Sequence, residues 1–297
     1  MPFHKKWEDL RISDNFLFLK VMSNAKLCRH FLEKLLRLDI RELKVAQTEK
    51  TVDNSPQARG IRLDVYVEDG SGTVYDIEMQ AEVPMDDSLD LRMRYYQSMI
   101  DLATVNKGWS VSRLRHVFII FVCAADPFNL GLRRYTFRSR CDENRELTLR
   151  DRAVKLVLNA RGSIGEEDED IRRFLDYVAG QEARGEFAGA VAAEAERVKR
   201  HDEYRREYMT VAMLMRSEFE KGEAKGWKDG REAGWKDGEA RGLQLGEENE
   251  RRRMALNLLG LGVEKDKILA ATGYSPAQLE NLLLEKASAK TLQQPQA

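Results

Sequence analysis

The chain has 297 residues, 42% hydrophobic and 33% charged, with a formal net charge of −1; this fits one large domain or one domain with an extension, the charge excess lying in an exposed helical part. Three scattered cysteines (Cys28, Cys123, Cys141) exclude a disulfide framework and fit a reducing cytoplasm, and four histidines without zinc-ligand spacing exclude a zinc module. The start at Met1–Trp7 lacks the apolar core of a signal peptide, and the longest apolar run, Val117–Ala125, is far short of the ~20 residues of a membrane helix.

Asp14-Asn15 precedes Phe16, Leu17, Leu19 and Val21, a cap followed by an apolar helix with Asp14 at the N-cap. Ser23-Asn24 restarts a second helix, with Leu27, Phe31, Leu32, Leu35 and Leu36 on its inner face. Leu43–Val52 reads as an edge strand, followed by a loop over Asp53–Gly60.

Two alternating runs follow, Ile61–Glu68 and Thr73–Gln80, around Asp69-Gly70-Ser71-Gly72, the pattern of a β-hairpin. Alternation puts Ile61, Leu63, Val65 and Val67 on one face of the first run, and Arg62, Asp64, Tyr66 and Glu68 on the other. In the second run Tyr75, Ile77 and Met79 oppose Asp76, Glu78 and Gln80. If Asp64 pairs across from Glu78, two carboxylates meet on one face among apolar side chains. Such a pair suits Mg²⁺, which uses one or two protein carboxylates together with water and substrate phosphate. Charged residues in a strand also mark the solvent face of a half-buried sheet, and the hairpin alone leaves both readings open.

A long helix is expected from Pro84 to near Gly108, with Leu89, Met93, Tyr96, Ile100 and Ala103 toward the sheet and Arg92, Arg94 and Tyr95 elsewhere on the surface. His116–Cys123 is the next strand and ends in a turn at Asp126-Pro127-Phe128; Tyr135–Arg138 and Val154–Asn159 read as two more short strands. From Arg92 to Lys155 there are 13 Lys/Arg against 6 Asp/Glu, whereas Arg161–Glu203 has 12 acids against 7 bases. A basic region around an acidic metal site is the electrostatic pattern of a nucleic-acid enzyme. Arginines that only solubilise a surface give the same count. An acidic loop, Gly165–Asp170, then enters a helix carrying Phe174, Leu175 and Val178.

The run R-L-D-V-Y-V and, with thirteen residues between Asp64 and it, the Glu78 of D-I-E-M-Q resemble the PD-(D/E)xK nuclease superfamily. More narrowly they resemble the Rpn group of recombination-promoting nucleases, also described as transposases. The likeness takes in D-N-F-L-F-L-K-V-M, R-M-R-Y-Y-Q-S-M-I-D, V-F-I-I-F-V-C-A-A-D-P-F, Y-T-F-R-S-R-C and F-L-D-Y-V-A-G, in order over roughly residues 10–180. It implies an α/β fold, a restriction-endonuclease-like core with a central mixed β-sheet flanked by helices. It also implies a divalent metal, Mg²⁺ or Mn²⁺, held by Asp64 and Glu78, and double-stranded DNA as partner. Gln80 stands where the superfamily most often has lysine, as in the Rpn pattern, and brings a dipole where lysine brings a charge. Leu63 stands where the superfamily has proline. As secondary site residues the resemblance implies Asp14, from the first helix, and Arg94 and Gln97, from the helix bordering the cleft. For each of the three a structural or solvated role is the competing reading.

From Glu186 the pattern is one long helical stretch. Within it glycine recurs every four residues at Gly222, Gly226, Gly230, Gly234, Gly238, Gly242 and Gly246, with Trp227 and Trp235 eight apart. Each interior glycine costs a helix about 1 kcal/mol against alanine, so propensity does not explain the series. Close pairing of helices, making a homo-oligomer, and a frayed linker both remain open. Met254–Leu261, Lys265–Ala271 and a helix begun by Ser275-Pro276 with Leu279, Leu282 and Leu283 inward form a small helical domain. Its last helix lacks base-reading cations, so an interaction domain is expected rather than a DNA reader. The expected layout is a nuclease-like domain at 1–182, a glycine-periodic helical extension at 183–250, a helical domain at 251–287 and a disordered tail at 288–297. The expected function is a metal-dependent DNA endonuclease linked to recombination or mobile elements, in the cytoplasm and with no membrane attachment. The rival is a DNA-binding or assembly protein that keeps the fold without cutting.

Overall fold

Val117–Cys123 is seven apolar residues without a polar alternation, and it forms a strand buried along its whole length. Such a strand belongs in the interior of a sheet covered on both faces. The computed structural model describes residues 5–52, 61–82, 89–105 and 108–291. In chain order they form α1 (Asn15–Met22), α2 (Ala25–Leu36), β1 (Leu43–Val52), β2 (Ile61–Asp69), β3 (Val74–Gln80), α3 (Leu89–Thr104), β4 (Val117–Cys123), β5 (Arg134–Phe137), β6 (Ala153–Asn159), α4 (Glu169–Val178), α5 (Glu186–Lys199), α6 (Asp202–Gly260), α7 (Lys265–Thr272) and α8 (Pro276–Thr291).

The strands make one sheet in the order β1-β2-β3-β4-β6-β5. β1, β2 and β3 are antiparallel, β3, β4 and β6 run parallel, and β5 closes the far edge antiparallel to β6. This is the mixed sheet flanked by helices that the resemblance implied, with β1 at an edge as expected. Val65, Val67, Tyr75, Ile77, Ile120 and Val122 belong to one core cluster with side chains of α1, α2, α4 and α5. The opposite face packs Ile119, Phe121 and Val157 with Leu89, Met93 and Ile100 of α3. Local sequence explains the helices. The Asn24 side chain accepts the Lys26 N–H at 3.1 Å and starts α2. In α4 the stripe Ile171, Phe174, Leu175 and Val178 is buried at helical spacing.

Several expectations need correction. The first compact unit runs through Met213, beyond the expected boundary at 182. Phe187, Val191, Ala195 and Val198 of α5, and Tyr208 beyond it, complete the core cluster under the sheet. The stretch from Glu186 is two helices, interrupted at Arg200-His201; α5 turns its apolar stripe to the core, and α6 adds Tyr204 and Tyr208 to it from its first turns. A chain ending at residue 182 is therefore expected to lose its cooperative thermal transition and to bind a hydrophobic dye, while one ending at 213 melts like the parent core. Each of the large side chains removed with α5 contributes roughly 1.5–3 kcal/mol by burial. A cooperative melt of the shorter chain would place the boundary back at 182.

In the second unit α6 continues without a break through all seven periodic glycines, and a β-carbon at any of them would meet nothing within 4 Å in this chain. The helix expected over Met254–Leu261 is the end of α6, which stops at Gly260, rather than a separate helix. Ala255, Ile268, Tyr274, Leu279 and Leu282 make a small core, and the Tyr274 hydroxyl donates to Glu248 at 2.8 Å. Residues 288–291, expected to be disordered, are helical; 292–297 lie outside the described residues, as do the loop at 53–60 and the expected helix start at 84–87. Among the described residues no helix is long and apolar enough to cross a membrane. All three cysteines are free thiols.

Candidate active site

The β2–β3 ladder runs from Glu68↔Val74 to Val65↔Ile77. One more step of that register brings Asp64 opposite Glu78, and there side chains replace the backbone ladder. The Asp64 N–H donates to Glu78 Oε1 at 2.8 Å, and the Met79 N–H donates to Asp64 Oδ2 at 3.1 Å. Each carboxylate is thus held by the other strand's backbone. The switch also breaks the expected alternation. Ile61 and Leu63 join the cluster on the α3 side, while Val65 and Val67 stay with the opposite cluster.

Asp64, Asp76 and Glu78 are 7%, 0% and 3% exposed, so three carboxylates are buried together. Asn15, the first residue of α1, donates from Nδ2 to Asp64 Oδ1 at 3.2 Å. From α3, Arg92 places a guanidinium nitrogen 3.8 Å from Glu78 Oε2 and donates to Gln80 Oε1 at 2.7 Å and to the Tyr96 hydroxyl at 3.2 Å. The same guanidinium lies 5.2 Å from the centre of the Phe121 ring. The Gln80 amide nitrogen donates to the Glu82 carbonyl. With both carboxyls ionised, neither Asp76 oxygen has a hydrogen-bond donor among the described residues; a proton on either lets Asp76 and Glu78 share a hydrogen bond.

Burial, first, and then the charge of Asp64 push the Asp76 pKa well above the ordinary carboxylate value; a hydrogen bond shared with the Glu78 carboxyl and the Arg92 charge work the other way. Glu78 is raised well above its ordinary value too, by burial and then by Asp76 and Asp64, against the Asp64 N–H and Arg92. Burial works against the charge on Arg92, but Tyr96, Glu78 and Asp64 together hold its pKa above the ordinary value.

Of the expected residues, Asp64, Glu78 and Gln80 come together, linked through Arg92. Asp14 does not join them. Its oxygens take Lys5 Nζ at 2.5 Å and the Arg11 N–H at 2.7 Å, and it caps α1 by position only, without a side-chain bond. Arg94 is exposed, and Gln97 donates to Asp101 at 3.1 Å; neither contacts the carboxylates. Sequence reasoning placed Arg92 on the surface, whereas it faces the sheet. The signal was available: Arg92 precedes the inward-facing Tyr96 by four residues, one helical turn. Ala103, expected inward, is exposed, and Met99 is buried in its place. Asn15 and the role of Asp76 had no local signal, because both depend on where α1 and β3 meet the hairpin.

Among the described residues three buried carboxylates face one guanidinium, and Asp76 has no hydrogen-bond donor beside the pair. That donor set fits a hard divalent cation. Among the described residues no three His, Cys, Asp or Glu side chains are arranged to hold one ion. The ligands on offer are therefore the Asp64–Glu78 pair, with water and phosphate making up the rest, as Mg²⁺ prefers. Residues 15–146 match the family model described as PD-(D/E)XK nuclease family transposase. No curated protein and no solved structure matches the chain.

Proposed function

We propose, from the match of residues 15–146 to the model of the PD-(D/E)XK nuclease family transposases, that the chain is a divalent-metal-dependent endonuclease acting on double-stranded DNA. The observation that carries the reading is the mutual bracing of Asp64 and Glu78 by opposite backbones, under a half-buried guanidinium. A sheet gains nothing from two buried carboxylates held this way unless a cation joins them. In this reading Asp64 and Glu78 hold Mg²⁺ or Mn²⁺. The bound ion supplies charge neutralisation at the reacting phosphate and acidifies a water molecule. Arg92 brings the fixed positive charge that the superfamily's lysine otherwise brings, and Gln80, bonded to it at 2.7 Å, is its positioning residue. Asn15 orients Asp64 from the other side.

Supercoiled plasmid incubated with the protein and Mg²⁺ or Mn²⁺ is expected to be nicked and linearised, and to remain supercoiled in EDTA. Cutting in EDTA, or no cutting with either metal, would leave the second reading, a DNA-binding protein that keeps the fold. Gln80 in place of lysine is the observation that favours that alternative. Gln80→Lys tests the assignment of Arg92. The substitution removes the acceptor at 2.7 Å and sets a second cation against the guanidinium. Cleavage is therefore expected to fall by about 10–100-fold, the usual cost of losing an outer-shell partner. A lysine variant that cuts as fast as the parent would show that Arg92 does not carry this role.

A further inference from the structure

At the end of the sheet away from Glu78, two contiguous grooves of about 400 and 490 Å³ share His116 and Arg152. Arg113 and Arg115 line the first, Arg138 and Arg150 the second, and one lining carboxylate, Asp151, faces them. That carboxylate is occupied by the Ser139 hydroxyl at 2.7 Å and the Ala153 N–H at 3.2 Å. Arg115 is neutralised by Glu68 at 2.6 Å. Among the described residues Arg152 donates only to the carbonyls of Ser112 and Leu114, at 3.1 and 2.6 Å, and no carboxylate pairs with it. Arg113, Arg138 and Arg150 are exposed and have no carboxylate partner among the described residues. Arg113 lies 4.9 Å from the centre of the half-exposed Trp109 ring.

We propose that this double groove is a binding site for the phosphate backbone of double-stranded DNA, separate from the carboxylate site. A small anion is held where cations converge on one buried point. Here the cations are solvent-exposed and spread along two joined grooves, which suits a polymer of repeated single charges. The first groove is lined by Thr73, the residue before β3 and five residues before Glu78. At about 3.3 Å per strand residue the two sites are roughly 17 Å apart along the strand, about five base pairs of duplex. The groove therefore binds DNA whether or not a metal is present, and confers affinity without base reading.

The proposal shares with the nuclease reading only its ligand, and its test lets either fail alone. A labelled 20-base-pair duplex is titrated with the full-length chain in EDTA, and anisotropy is followed over a range of salt. Arg113→Ala/Arg138→Ala/Arg150→Ala is expected to weaken binding about a hundredfold near 0.1 M salt and to flatten the log–log salt slope by about 2.7, three contacts at 0.9 each. The triple lysine variant is expected to bind like the parent, since a phosphate contact needs the charge and not the fork. That variant also separates lost contacts from lost folding. Unchanged binding by the alanine variant overturns the proposal. So does a lysine variant as weak as the alanine one, or displacement of the duplex by low-millimolar inorganic phosphate at constant ionic strength, which would mark a small-anion site. Glu78→Gln binding like the parent in EDTA supports the separation of the two sites, and equal loss in Glu78→Gln refutes it. A chain that cuts nothing with either metal, yet shows the expected salt slopes, retains the groove and loses the nuclease.

Discussion

Asp64→Asn is expected to lower metal-dependent cleavage by at least about a hundredfold and, in the metal-free protein, to raise the melting temperature by a few degrees. The two effects have one cause. The amide that replaces the carboxylate keeps an oxygen for the Met79 N–H, and Asn15 can turn its own amide to accept from the new NH₂ group, so the hairpin retains its bracing. What disappears is one negative charge beside two carboxyls already raised by burial and by Asp64 itself. Relief of that repulsion by about 1 kcal/mol corresponds to roughly 2–4 °C for a core of this size. The same charge is half of the proposed metal pair, and loss of an electrostatic partner of the reacting centre is typically worth about 10²–10³ in rate. Plasmid nicking and a thermal melt in EDTA read the two effects separately. An Asp64→Asn variant that cuts normally removes Asp64 from the site. One that is inactive and clearly less stable shows a structural carboxylate instead.

The pH dependence of stability should carry the signature of Asp76. Its folded pKa, like that of Glu78, lies well above the ordinary values of 3.8 and 4.5. A carboxyl raised on folding contributes stability that is fully present below its unfolded pKa, and that stability is lost as the pH rises through the folded value, because the unfolded chain releases the proton first. Wild type in EDTA should therefore lose stability relative to Asp76→Asn as the pH increases from about 4 toward neutrality. The gap should widen by up to about 1.4 kcal/mol per pH unit for each proton withheld. At pH 8 the variant should melt well above the parent. Mg²⁺ or Mn²⁺ at a hundred times its dissociation constant should return about 2.7 kcal/mol to the parent. Parallel stability profiles for the two proteins across this range would mean that Asp76 is ionised without cost, and that an unseen partner holds it.

The apolar alternation of Ile61–Glu68 and Thr73–Gln80 and the unbroken run Val117–Cys123 were sufficient, from sequence, for a hairpin and a buried strand. Side-chain period and turn chemistry are local properties, carried by neighbouring residues whatever the rest of the chain does. The D…ExQ spacing named the two carboxylates for the same reason, since an antiparallel register is fixed by the turn that joins its strands. Local information ended where elements from distant parts of the chain meet. The join of α1 to the hairpin decided that Asn15, and not Asp14, reaches Asp64. The seating of α3 decided that Arg92 lies over Glu78 while Arg94 faces solvent. The packing of α5 decided that the core continues past residue 182. Each of these depends on which faces of separate elements bury one another, a long-range balance of apolar area and charge that no single stretch of the chain contains.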